Sequence, residues 1–175
     1  MRPIDPGELA VAMLVGQAAE ARARAAAHAA FWLGICVTDL TAHAETGPRH
    51  RARRRSRTVP ARSTDIPTWA GTGASQWRRT VEDISTTLRC CAEQITAGKA
   101  TYGTLADLHT AALRLRFLHP APPVTDTPET ANPLYNITIW LLDAISDCAT
   151  ILQAEQTLRT AAFLGHTPPD GAPTA

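Results

Sequence analysis

Residues 77–95 read WRRTVEDISTTLRCCAEQI, and the apolar positions within them decide the fold. Trp77, Val81, Ile84, Leu88, Cys91 and Ile95 follow one another at spacings of four, three, four, three and four. A mean spacing near 3.5 stacks side chains along one face of an α-helix, as in a heptad seam, whereas a strand would alternate every second residue. Arg78 with Glu82, Arg79 with Asp83, and Arg89 with Glu93 place opposite charges one turn apart on the remaining faces. The segment therefore reads as an amphipathic helix with one buried side. Ser75 is its expected N-cap and Gly98 its stop.

Working outward from this helix, the same grammar recurs. Upstream, Asp5-Pro6-Gly7-Glu8 offers a cap, a proline at the first helical position and an acid three residues after the cap. A helix from there runs to about Glu45, where Gly47-Pro48 stops it. Some 40 residues at ~1.5 Å each would span about 60 Å, so a break near Gly16 or Gly34 is expected. Glu20 and Arg24 form an i,i+4 pair on its wet face. Downstream, a third helix starts at Thr101 or Thr104, the latter in a capping box with Asp107. It buries Leu105, Leu108, Ala112 and Leu115, and His119-Pro120-Ala121-Pro122-Pro123 ends it.

Asn132-Pro133 repeats the cap-and-proline signal, and the fourth helix carries Leu134, Ile137, Leu141, Ile145, Cys148, Leu152 and Leu158 to a stop at Gly165. Around Ile137 to Leu142 it is apolar on nearly all sides, as at the centre of a core or on a partner-binding surface. Strand signals are nearly absent. These readings give an all-α fold, a four-helix bundle of up-down type, with one long Arg-rich connection between helices 1 and 2. The expected organisation is one helical-bundle domain over residues 1–166, containing a flexible basic loop at 47–74, and a disordered tail at 167–175.

The chain has 175 residues, 45% apolar and 19% charged, enough for one real core. No run reaches the ~18 uninterrupted apolar residues of a membrane span; the longest candidate, Ala25 to Val37, contains His28. Asp5 and Glu8 precede the apolar stretch Leu9 to Val15, where a signal peptide would carry positive charge. A cytoplasmic location without a membrane span is therefore expected. The use of Arg over Lys reads as the codon bias of a GC-rich bacterial genome. Cys36, Cys90, Cys91 and Cys148 show no C-x-x-C spacing and sit at apolar helical positions, the pattern of buried free thiols.

One stretch departs from this pattern. Residues 49–62 hold Arg49, Arg51, Arg53, Arg54, Arg55, Arg57 and Arg62 and no acid. The chain total is 17 basic and 16 acidic residues, so removing these seven arginines leaves 10 against 16, a body of −6 beside a segment of +7. Such a segment can neutralise phosphates and stack on bases, giving salt-sensitive, sequence-tolerant binding to nucleic acid. The plain alternative is a solvated loop that folds back on the acidic body or meets an acidic partner. No helix-turn-helix, zinc-finger or RNA-recognition signature accompanies it, and aromatic residues are not interleaved.

Signs of catalysis are sparse. None of the six histidines stands in H-E-x-x-H or Glu-x-x-His spacing, so no metal or cofactor is expected. Gly71-Thr72-Gly73 lacks the third glycine, the lysine and the strand of a phosphate loop, and reads as a linker. Arg114 with His119, Arg159 with His166, and Arg22 with His28 do fall within an Arg-x(4–6)-His spacing that resembles helical ribonucleases of the HEPN class. That resemblance implies an Arg holding a phosphate and a His moving a proton. Leu115 rather than a polar residue follows Arg114, although Thr160 follows Arg159, and sixteen Arg and six His make such pairs common by composition.

The sequence thus points first to a non-enzymatic binding protein whose Arg-rich loop engages nucleic acid or another polyanion. An RNA-cleaving enzyme using Arg114 and His119, or Arg159 and His166, is the alternative. A third reading is a homo-oligomer, self-associating through the seam of helix 2 or the apolar section of helix 4.

Overall fold

The computed structural model describes residues 5–46, 72–118 and 133–165. They form four helices, α1 (Pro6–Thr46), α2 (Thr72–Thr96), α3 (Tyr102–Leu118) and α4 (Pro133–Gly165). The basic residues 49–62, the Pro-rich 119–132 and the tail from His166 lie outside the described residues. Each helix packs on the next in the chain or closes the ring: α1 on α2, α2 on α3, α3 on α4, and α4 back on α1 most extensively. The architecture is an up-down four-helix bundle, as the spacing patterns predict.

The heptad seam of α2 faces inward. Val81, Ile84, Leu88, Cys91 and Ile95 are buried and Trp77 packs at the margin. This face lies in the protein's own core. From α1, Ala25, Ala29, Leu33, Cys36 and Leu40 meet it; from α4, Leu134, Ile137, Leu141, Ala144 and Cys148 close the other side. Alanines at the contacts let the long helices approach closely. α3 contributes Thr104, Leu108, Ala111 and Leu115, so its stripe lies slightly rotated from the expected one, with Leu105 and Ala112 at the margin.

Three local readings are corrected. α1 is continuous over 41 residues, with no break at Gly16 or Gly34. Gly34 falls in the section packed by α2 and α4, whereas Gly16 lies before it, and there the helix carries the ~1 kcal/mol cost of a helical glycine among good helix formers. α2 begins at Thr72, three residues before Ser75, so the glycines taken for a linker end within helix. The capping box of α3 lies one turn earlier than Thr104 and Asp107. Thr101 N–H donates to Thr104 Oγ1 (3.0 Å) and Thr104 N–H to Thr101 Oγ1 (3.3 Å). Thr104 is buried, and its hydroxyl donates in turn to Gln94 Oε1, which ties the start of α3 to the end of α2.

The connection from α2 to α3 is tight. Gly98 adopts φ +67, the left-handed conformation that closes a helix C-terminus, and Gly98 N–H donates to Ile95 O (3.0 Å). α1 and α4 are much longer than their neighbours, at 41 and 33 residues against 25 and 17. They run antiparallel, as three links show: Arg22 with Glu155, His28 with Asp147, and Cys36 Sγ with Ile137 O. At the end marked by the α2–α3 turn both long helices extend past it. At the opposite end α1 finishes, α2 begins, α3 finishes and α4 begins.

By average hydropathy, stretches of both long helices, Pro6–Ala44 and Leu134–Leu164, are long and apolar enough to cross a membrane, which a search for uninterrupted apolar runs does not reveal. Part of that apolar surface is the buried face each turns toward the bundle interior.

Candidate functional site

Where α1 and α4 pass the α2–α3 turn, an open cleft of about 470 Å³ is lined by Arg22, Lys99, Thr101, Glu155, Leu158 and Arg159. Arg22 Nη2 lies 3.1 Å from Glu155 Oε1 and donates to Gly98 O at 3.4 Å, so one guanidinium joins α1, the turn and α4. Arg159 reaches the other oxygen of Glu155 at 3.5 Å while remaining mostly in solvent. Three cations and one carboxylate leave the cleft net positive by two. The start of α3 opens beside it, and the amides of a helix N-terminus add a partial positive charge. Arg22 and Arg159 of this set stand among the residues that the sequence marks out, each for its spacing to a histidine rather than for this cleft. Arg22, Lys99 and Glu155 are brought together from positions up to 133 residues apart, with no local signal to announce them.

A second polar cluster lies on the outer seam of α1 and α4. His28 Nδ1 is 2.7 Å from Asp147 Oδ2, and Trp32 Nε1–H donates to His28 Nε2 at 2.8 Å. Since the indole can only donate, Nε2 accepts, and the imidazole proton sits on Nδ1, facing the carboxylate. The ring is held between two partners. Trp32 also stacks on Trp140, with centroids 6.0 Å apart and planes 15° off parallel. Both ring nitrogens have partners, so the arrangement clasps α1 to α4.

Among the described residues, Arg114 of the Arg and His pairs stands apart from Arg22 and Arg159. Arg114 is exposed on α3 beside Asp107, in a shallow groove toward α2. Arg159 is at the opposite end of the bundle, roughly 20 Å away along the axis by helical rise. Arg22 is engaged by Glu155 and His28 by Asp147 and Trp32. His119 and His166 lie outside the described residues, as do Arg49, Arg51, Arg53, Arg54, Arg55, Arg57 and Arg62. Among the described residues no group of three His, Cys, Asp or Glu side chains is placed to hold a metal ion.

Three of the four thiols are set against nucleophilic use by burial. Burial pushes Cys36 up to about 12, with Asp39 adding to it. Burial likewise pushes Cys91 to about 12, with smaller contributions from Asp107, Cys148 and Cys90. Cys148 is raised by burial as well, while Cys90 is exposed.

Fold and geometry together define an all-α bundle with a positive cleft at one end and the termini of the basic connection at the other. Comparison of the chain with protein-family models, curated proteins and solved structures gives no match.

Proposed function

We propose that the protein is a non-enzymatic helical-bundle binding protein that engages nucleic acid or another polyanion through the arginines of residues 49–62. The observation that carries this reading is the charge division, seven arginines without an acid joined to a body of −6. The fold is compatible with it: α1 ends at Thr46 and α2 starts at Thr72 at one end of the bundle, far from the positive cleft. A non-catalytic role is supported by the clasped His28 and by the burial that raises the thiols of Cys36, Cys91 and Cys148.

The test is retention on immobilised heparin and on short RNA and DNA over a salt series. A variant with Arg51, Arg53, Arg54, Arg55 and Arg57 replaced by Gln serves as control. Retention that falls with salt and is lost in the variant supports the reading. Equal retention of both proteins, or none, contradicts it.

A further inference from the structure

The cleft beside the α2–α3 turn carries charge that its own residues do not balance. Every residue that lines it belongs to α1, to α4 or to the turn from Gly98 to Thr101. Glu155 is its one acid, and both carboxylate oxygens are taken, Oε1 by Arg22 and Oε2 by Arg159. Arg22 makes its two contacts, to Glu155 and to Gly98 O, through Nη2, which leaves Nη1 and Nε without a partner among the described residues. Gly98 leaves room for this approach, since a Cβ there would meet Arg22 Nη2 at 3.1 Å. The ammonium of Lys99 has no partner among the described residues. Lys99 is also the only lysine of the chain, so its one compact, three-donor cation stands at this cleft.

We infer that the cleft is a binding site for a small phosphomonoester, whose phosphate accepts from Arg22, Lys99 and Arg159 while its organic part lies against Leu158. The charges match. Three cations and one carboxylate leave the cleft at +2, and a phosphomonoester carries about −1.5 to −2 at pH 7. The donors match as well, because two guanidinium forks and an ammonium supply charge-assisted hydrogen bonds to the three terminal oxygens of the phosphate. The volume exceeds what a bare ion fills: about 470 Å³ falls among small-molecule sites, which hold roughly 300–1,000 Å³. Leu158, half-buried in α4, is the apolar side chain of the wall.

Clasping the helices together does not account for the cluster. Arg22 alone ties α1 to the turn and to α4. Arg159 pairs with Glu155 one turn away on the same helix, and Lys99 pairs with no described residue, so neither adds a tie between elements. What these two add is positive charge. A monocarboxylate or a single phosphodiester brings one negative charge and leaves the other cation unmatched. The cleft lies at the opposite end of the bundle from the helix ends that residues 49–62 join, and the inference stands whether or not those residues bind a polyanion.

Isothermal titration calorimetry of the full chain with phenyl phosphate, at pH 7.5 and low salt, is expected to show one saturable site with Kd between about 0.1 and 1 mM. Lys99→Gln and Arg159→Gln, both at exposed positions, are each expected to weaken binding about tenfold with helical circular dichroism unchanged. Arg114→Gln, at the far end of α3, should bind as the wild type does. At pH 5 phenyl phosphate has largely lost its second charge, and affinity should fall roughly tenfold. Absence of saturable binding up to about 10 mM would overturn the inference, as would binding indifferent to Lys99→Gln with Arg159→Gln. Binding lost instead when Arg51, Arg53, Arg54, Arg55 and Arg57 are replaced by Gln would overturn the assignment to the cleft and place the phosphate on residues 49–62. Inorganic phosphate is expected to bind several-fold more weakly than phenyl phosphate. Equal affinity would overturn the contact with Leu158 and reduce the site to one for the bare ion.

Discussion

Between Ala18 and Leu40, α1 buries six residues at core spacing; between Asp5 and Gln17 the same stripe continues and buries none. Both sections are rich in alanine and aliphatic side chains, and both are helical. What differs is company: α2 ends at Thr96 and α3 begins at Tyr102, level with Arg22, so only the later section has helices on more than one side. Apolar content therefore does not decide burial along a helix. The lengths of its neighbours do, and these are set by Gly98 and the Thr101–Thr104 cap.

The comparison can be broken most sharply through the thiols. Cys36, in the packed section, and Cys91 and Cys148, which face it, are buried, whereas Cys90 is exposed. At pH 8 one thiol per chain is expected to react rapidly with an aromatic disulfide reagent. The other three should follow only on opening of the fold, slower by about 10³ or more. Four thiols reacting together would show that the section is not packed. The same burial gives a pH dependence. Cys36 and Cys91 are raised from 9.0 to about 12, so the unfolded chain ionises first. Stability should be indifferent to these thiols below about pH 9 and decline from there toward pH 12, less steeply when Cys36 is replaced by Ala.

Truncation compares the two sections directly. Leu33→Ala removes a fully buried side chain, and urea unfolding should show a loss of about 2 to 5 kcal/mol. Leu14→Ala, measured on dilute protein, should cost no more than about 0.5 kcal/mol. Equal losses would contradict the boundary at Ala18.

The boundary itself rests on the turn. Gly98→Ala places a Cβ 3.1 Å from Arg22 at φ +67, and should destabilise by about 1 kcal/mol. Glu155→Gln leaves Arg22 and Arg159 without their shared carboxylate. The expected loss is smaller, under about 1 kcal/mol, because Arg159 is largely solvated and the pairs are screened. Its diagnostic is salt: the difference between wild type and variant should shrink as ionic strength rises.

The fold was legible wherever a single helix carries its own evidence. The four-three spacing from Trp77 to Ile95 marks a buried face without reference to any partner, and Gly98 and Asn132-Pro133 mark ends by backbone chemistry alone. The continuity of α1 was not legible, because Gly16, Gly34 and the helix's length mark possible breaks, and only at Gly34 does packing by α2 and α4 bear on the outcome. Nor was the shift of the cap to Thr101, since choosing between two threonines requires Gln94 from the preceding helix. The cleft was the least legible feature. Arg22, Gly98 and Glu155 are joined only by the antiparallel register of α1 and α4, and no spacing along the chain encodes that. Residues 49–62 present the reverse case, a composition conspicuous in sequence that the four helices locate only by the ends it joins.

The central functional claim is that those seven arginines make the contact with a polyanion, and the salt dependence of affinity for a short DNA duplex measures this most directly. If all seven neutralise phosphates, log K against log salt should approach a slope of about −6, and replacing Arg51, Arg53, Arg54, Arg55 and Arg57 by Gln should reduce it to about −2. A slope unchanged by those substitutions, or absence of binding at low salt, would contradict the account.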